Sequence, residues 1–117
     1  MLYRNNKIYI GDSKVHGRGV FASEFIEKNE ILEECHFIIV PRDLQYPNIL
    51  VNHFFAWPKG KAPHELAICL GSGSIFNHSD IPNADWVTDE SKYIIRFFAI
   101  DSINPGDEIF TNYQKTT

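Results

Sequence analysis

Apolar and polar residues alternate near the start of the chain, where Ile8 and Ile10 in "KIYIG" keep the period of two that marks a half-buried strand. "VHGRGVFA" sets a Gly-x-Gly turn ahead of a second strand at residues 20–22. "EILEECHFIIV" reads as extended structure over residues 30–40, ending at Pro41, and Asn29 just before it can take the positive φ that closes a turn. Over residues 42–60 the pattern loosens. "NILVNHFFAWP" carries apolar residues at helical and strand spacings at once, bounded by Pro47 and Pro58, and predicts an irregular insert with one helical turn. "ELAICL" is a compact strand followed by a turn at Gly71 and Gly73. "ADWVTD" and "YIIRFFAI" make an antiparallel pair around Glu90 and Ser91, and the Pro-Gly turn of "NPGDEI" leads into a last strand at residues 109–112. Many short strands without a long amphipathic helix or an internal repeat predict a mainly β fold.

Composition narrows the classes. A chain of 117 residues suits one domain spanning residues 1–117. A chain of this size buries roughly two-thirds of its unfolded surface, enough for a core without metal or disulfide support. Nine Phe, five Tyr and two Trp supply much of that core. Eleven Lys and Arg against fifteen Asp and Glu leave a net charge of −4, which argues against direct nucleic-acid binding and suits either a basic peptide partner or a plain soluble surface. No apolar stretch reaches the roughly 18 residues of a membrane span, and "MLYRNNKIYIG" is too polar for a signal peptide. Cys35 and Cys69 stand in apolar runs and read as reduced core thiols of an intracellular protein. His16, His36, His53, His64 and His78 follow no metal-ligand spacing, so no metal is expected.

Three segments carry candidate chemistry. In "HGRG" two glycines flank Arg18, which lets a backbone approach a ligand closely or simply makes a tight turn; it is not the dinucleotide fingerprint, because no helix follows. In "IFNHS" a buried amide and imidazole need partners, since an unsatisfied polar group costs about 1–3 kcal/mol. Asn77 and Ser79 could cap a turn and His78 could bond a core carbonyl, or a ligand could receive these bonds. In "GDEIFTNY" Tyr113 is either a core plug or a functional phenol.

Taken in order, "SKVHGRGVFA", "GSIFNHSDIPNA" and "FFAIDSINPGDEIFTNY" resemble the three motifs of SET-domain protein-lysine methyltransferases, a likeness that covers residues 7–113 and is similar in size to the minimal viral and bacterial members. The resemblance implies a fold of small β-sheets (the β-clip) with a C-terminal pseudoknot, which brings the NHS and Tyr segments together. It implies S-adenosylmethionine as cofactor, with His16, Gly17, Arg18 and Gly19 running along it and Asn77 and His78 bonding it, partly through the main chain. It implies Tyr113 as the catalytic tyrosine, and Trp86, Thr111 and Tyr113 along the substrate channel; Trp86 also reads as an ordinary core ring. Asp80 stands where many relatives carry a zinc-binding Cys, and only "QKTT" follows Tyr113, so the channel lacks the family's cysteine-rich lid. A homodimer, the 42–60 insert or the peptide would then close it. The resemblance further implies a basic protein or peptide substrate, such as a histone tail, and a site of action in the cytoplasm, or in a host nucleus for a viral protein or secreted effector. The alternative is a catalytically silent SET-fold module that binds a peptide or serves as a scaffold.

Overall fold

The computed structural model describes residues 2–51 and 53–112. The described residues form ten strands in three small sheets. The first sheet joins β1 (Ile8–Asp12), β2 (Arg18–Ala22), β10 (Glu108–Thr111) and β7 (Asn77–His78), in that spatial order. The second places β9 (Ile94–Ala99) between β3 (Ile31–Cys35) and β8 (Ala84–Asp89). The third places β6 (Glu65–Cys69) between β4 (Phe37–Val40) and β5 (Phe54–Trp57). A single helical turn, α1 (Asn48–Val51), follows Pro47. The mainly β fold expected from the strand pattern is the one observed. No helix among the described residues is long and apolar enough to cross a membrane.

The turns follow their chemistry. Asn29 has φ 73°, and Gly106 has φ 87° in a turn closed by the Asp107 N–H on the Asn104 carbonyl at 3.1 Å. Several boundaries differ from the sequence pattern: β2 begins at Arg18, two residues before the expected start, and β10 covers Glu108–Thr111 rather than residues 109–112. The extended run at residues 30–40 is two strands, because β3 pairs with β9 while β4 pairs with β6. The chain changes sheets at His36, whose carbonyl accepts the Leu70 N–H at 2.9 Å. Strand β5 emerges inside the irregular insert because its backbone finds β6 in register, Phe55 opposite Ala67. Tyr93 has φ 57° and belongs to the β8–β9 turn, so β9 starts one residue later than the pattern suggests.

The core lies where the sheets face one another. Val20, Ile109, Leu32, Ile95 and Phe97 are fully buried. Phe55 packs edge-on against both Trp86 and Phe97, with centroids 4.9 and 5.5 Å apart, the favoured geometry for aromatic quadrupoles. A buried carboxylate fixes the turn after β6. Glu33 Oε2 accepts the Ser72 N–H at 2.9 Å and the Cys35 thiol at 3.2 Å, and it presses against Gly71, whose φ of 113° no other residue adopts readily. Arg4 Nε faces Glu33 Oε1 at 3.7 Å. Both cysteines are free and buried. Hydrogen bonding to Cys69, reinforced by burial, drives the Cys35 thiol far above its ordinary pKa and keeps it protonated.

Candidate functional site

The last described strand brings the three sequence segments together. β10 lies antiparallel to β2, with Ile109 opposite Val20, and parallel to β7, with Phe110 opposite Asn77 and Thr111 opposite His78. The Ser79 N–H continues this pairing onto the Thr111 carbonyl at 3.0 Å. Asn83, from the Pro-Asn turn, acts as a further strand neighbour. Its Oδ1 accepts the Phe110 N–H at 2.8 Å, and its Nδ2 donates to the Glu108 carbonyl at 3.0 Å.

The Asn77 side chain is the knot between these segments. Its Nδ2 donates to the carbonyls of His16 at 3.2 Å and Arg18 at 3.0 Å, and to Glu108 Oε2 at 2.8 Å. Glu108 Oε1 accepts the Ser13 hydroxyl at 2.7 Å, and Ser13 Oγ in turn accepts the N–H groups of Val15 and His16 at 3.0 and 3.3 Å. The Asn77 Nδ2 is therefore spent on the protein itself. Gly19 is needed for the same reason, since a Cβ there would collide with the Glu108 carboxylate. Gly17, with φ 51° and open space at its Cβ position, is required by backbone conformation rather than packing.

Beside this knot is a hollow of about 480 Å³, within the size range of small-molecule sites. Val15, His16, Asn77 and His78 line one side, and Asn48, Ile49 and His53 bring the 42–60 insert to the other. His78 Nε2 lies 2.9 Å from Asp80 Oδ1. Of the residues named from sequence, His16, Asn77 and His78 meet at this hollow, while Gly17, Arg18 and Gly19 form the turn and strand start next to it. Apolar walls and three imidazoles suit a ligand that combines a flat heterocycle with a polar tail. Thr111 is fully buried, and its hydroxyl has no hydrogen-bond partner among the described residues.

Trp86 lies at a second, smaller hollow of about 270 Å³, together with Lys59, Pro82, Asp85, Ile100 and Asn112. Its ring is 1 % exposed and packs into the core. Tyr113 lies outside the described residues. His53, Asn83 and Glu108 are not among the site residues read from sequence; for His53 the loosened pattern of the insert hides its register. Among the described residues, no group of three or more His, Cys, Asp or Glu is arranged to hold a metal ion.

Comparison with known proteins gives a consistent result. A family model described as the SET domain matches residues 17–114. A histone-lysine N-methyltransferase of Schizosaccharomyces pombe, specific for H3 lysine-37, is 29% identical over 109 residues, covering 89% of this chain and 71% of its own length. Among solved structures, a candidate histone methyltransferase of Plasmodium falciparum is 34% identical with a TM-score of 0.75, and the match covers 93% of this chain and 94% of that one. The Neurospora SET domain protein DIM-5, a histone lysine methyltransferase, shares the fold with a TM-score of 0.69 at 21% identity, over 94% of this chain and 53% of that one.

Proposed function

The chain belongs to the SET-domain family, and from that premise we propose that it is a protein-lysine N-methyltransferase that takes its methyl group from S-adenosylmethionine. The observation that carries the proposal is the pairing of β10 with β7, which sets the Asn77–His78 main chain beside the strand that runs on toward Tyr113. The hollow at His16, His53 and His78 fits the cofactor: its size suits a nucleoside, and three imidazoles beside Val15 and Ile49 line it. Bound in it, S-adenosylmethionine would supply an electrophilic methyl on a sulfonium.

The residues of this chain then have three tasks. Ser13, Asn77 and Glu108 hold the β2 turn, β7 and β10 in one arrangement, so that the site is formed before substrate arrives, and alignment of this kind supplies much of the rate in a displacement reaction. Trp86, Thr111 and Tyr113 would line the substrate channel and keep water out. A lysine amine must be neutral to attack. With an ordinary pKa near 10.4, losing the proton at pH 7.4 costs about 4 kcal/mol. An apolar channel lowers that cost by disfavouring the ammonium, so no dedicated base is required.

The substrate is a basic protein, with a histone tail as the first choice given the relatives' activities. We favour a homodimer, ahead of the 42–60 insert or the peptide, as what closes the channel; light scattering showing a fully active monomer would exclude it. The test of function is radiolabelled methyl transfer to histones and to a lysate, with mass mapping of the modified lysine. Transfer to protein lysine that falls at least about a hundredfold in Tyr113→Phe is expected, the usual scale for losing a positioned catalytic group. Full activity in that variant would refute the assignment. Calorimetry with S-adenosylmethionine separates the silent-scaffold reading, which predicts no binding heat.

A further inference from the structure

We infer that the hollow at Trp86 is a binding site for a lysine ammonium, held in the resting protein by the chain's own Lys59 and contested by an incoming substrate lysine. The second half of this statement rests on the methyltransferase reading; the first does not.

The Lys59 ammonium is surrounded as a bound ligand would be. Its Nζ donates to Asp85 Oδ1 at 2.9 Å and to the Trp86 carbonyl at 2.7 Å, and it lies 4.5 Å from the Trp86 ring centroid. An ammonium has three N–H donors, so two meet oxygens and the remaining side faces the negative π surface. A carboxylate, a carbonyl and an indole face together recognise a compact alkylammonium, and the ring would still attract the cation after methylation removed its donors. Lys59 is not an ordinary surface pair. Its side chain is 22% exposed, whereas Lys61, paired with Glu90, is 66% exposed. The Lys59 N–H is also bound, to Thr88 Oγ1 at 3.1 Å, so the backbone is anchored on β8 and the side chain runs back along that strand to Trp86.

The position of the hollow gives the contact its meaning. Pro82 and Asp85 come from the segment that follows Asn77 and His78, and Asn112 directly precedes Tyr113. Thr111, one residue earlier on β10, pairs with His78. An alkylammonium over Trp86 therefore sits beside the strand end that leads to the assigned tyrosine, and it shares no lining residue with the hollow at His16. A substrate lysine that docks here as an ammonium displaces Lys59 and frees the end of the 42–60 insert from β8; it then leaves Asp85 and loses its proton in the apolar channel before it attacks.

The test uses n-butylammonium chloride as the probe, with n-butanol as control, on the whole chain, following tryptophan fluorescence. In wild type the internal ammonium competes at a millimolar effective concentration, so Lys59→Ala should respond at probe concentrations at least about tenfold lower. Equal concentrations, no response in Lys59→Ala, or an equal response to butanol would overturn the inference. Should Lys59→Ala fail to fold, NMR of wild type decides: the side-chain signals of Lys59, shifted by the Trp86 ring, should move toward free-lysine values as n-butylammonium is added, and their staying fixed would overturn it. Methyl transfer by wild type without ammonium binding would sink this site alone. Ammonium binding without any methyl transfer would leave the site standing and sink the enzyme reading.

Discussion

Replacing Asn77 by Asp changes one NH₂ into one oxygen, and the geometry predicts that this near-isosteric change is worse than truncation. Asn77 Nδ2 faces only acceptors: two carbonyls, and Glu108 Oε2 at 2.8 Å. Asn77→Ala loses these bonds and leaves acceptors short of partners, a deficit of about 2–3 kcal/mol that should not change with pH. In Asn77→Asp a second carboxylate would face Glu108 at about the same separation, where two like charges repel by about 6 kcal/mol even at an effective dielectric of 20. The cheaper response is for the new pair to keep one proton. Holding a proton at pH 7 on a group whose unfolded pKa is near 3.9 costs about 4 kcal/mol, and at pH 5 only about 1.5. The sign is that of a raised acid: the native state binds the extra proton, so stability falls as pH rises above the unfolded value. Urea unfolding at pH 7 and pH 5 should therefore show Asn77→Asp less stable than Asn77→Ala at pH 7, with the gap between Asn77→Asp and wild type closing by about 2–3 kcal/mol on acidification. A domain with the usual 5–15 kcal/mol of stability keeps enough structure for this measurement. A pH-independent deficit for Asn77→Asp, or one smaller than that of Asn77→Ala at pH 7, would refute the assignment of Asn77 as a donor locked to Glu108.

Other expectations are more local. Gly19→Ala forces a methyl against the Glu108 carboxylate and should cost about 1–3 kcal/mol by thermal unfolding, whereas Gly17→Ala meets no atom and should cost only about 1–2 kcal/mol of left-handed strain; because those ranges overlap, the deciding result is that, measured in a Glu108→Ala background where the obstructing carboxylate is gone, the first substitution costs less and the second costs the same. Asp89 is held down to about 2 by the Ser91 hydroxyl, the Lys92 N–H and Arg96, against a usual 3.8, so its contribution is complete above pH 3.8 and is lost as pH falls through about 2. Asp89→Asn should flatten the acid melting profile in that window, and an unchanged slope would count against it. Thr111→Val keeps the shape and removes a buried hydroxyl that has no partner among the described residues, so the melting temperature should hold or rise; a loss above about 1 kcal/mol would reveal a bond made by that hydroxyl.

Much of the architecture was readable along the chain because strand alternation and turn chemistry are local. The period-two runs, the positive φ at Asn29 and the Pro-Gly turn at Gly106 each depend on a few neighbouring residues, and each appears where the pattern placed it. Motif order likewise pointed to the family, since three separated segments recur in register. What a linear pattern does not hold is the identity of the partner across a sheet. Alternation says which face of a strand is buried and is silent on which strand lies beside it, so residues 30–40 read as one strand although they serve two sheets. The Asn77 amide read either as a turn cap or as a donor to a ligand, yet its acceptors come from His16, Arg18 and Glu108, which only the insertion of β10 between β2 and β7 assembles. His53 reaches the hollow, and Lys59 reaches Trp86, through the path of an insert whose mixed periodicity concealed it. Sequence alone determined most of the strands, the turns and the family, because those depend on short-range sterics and periodicity. The destinations of the buried hydrogen bonds and of the Lys59 charge were decided by tertiary structure, because they are set by which distant backbones the fold brings within 3 Å of each other.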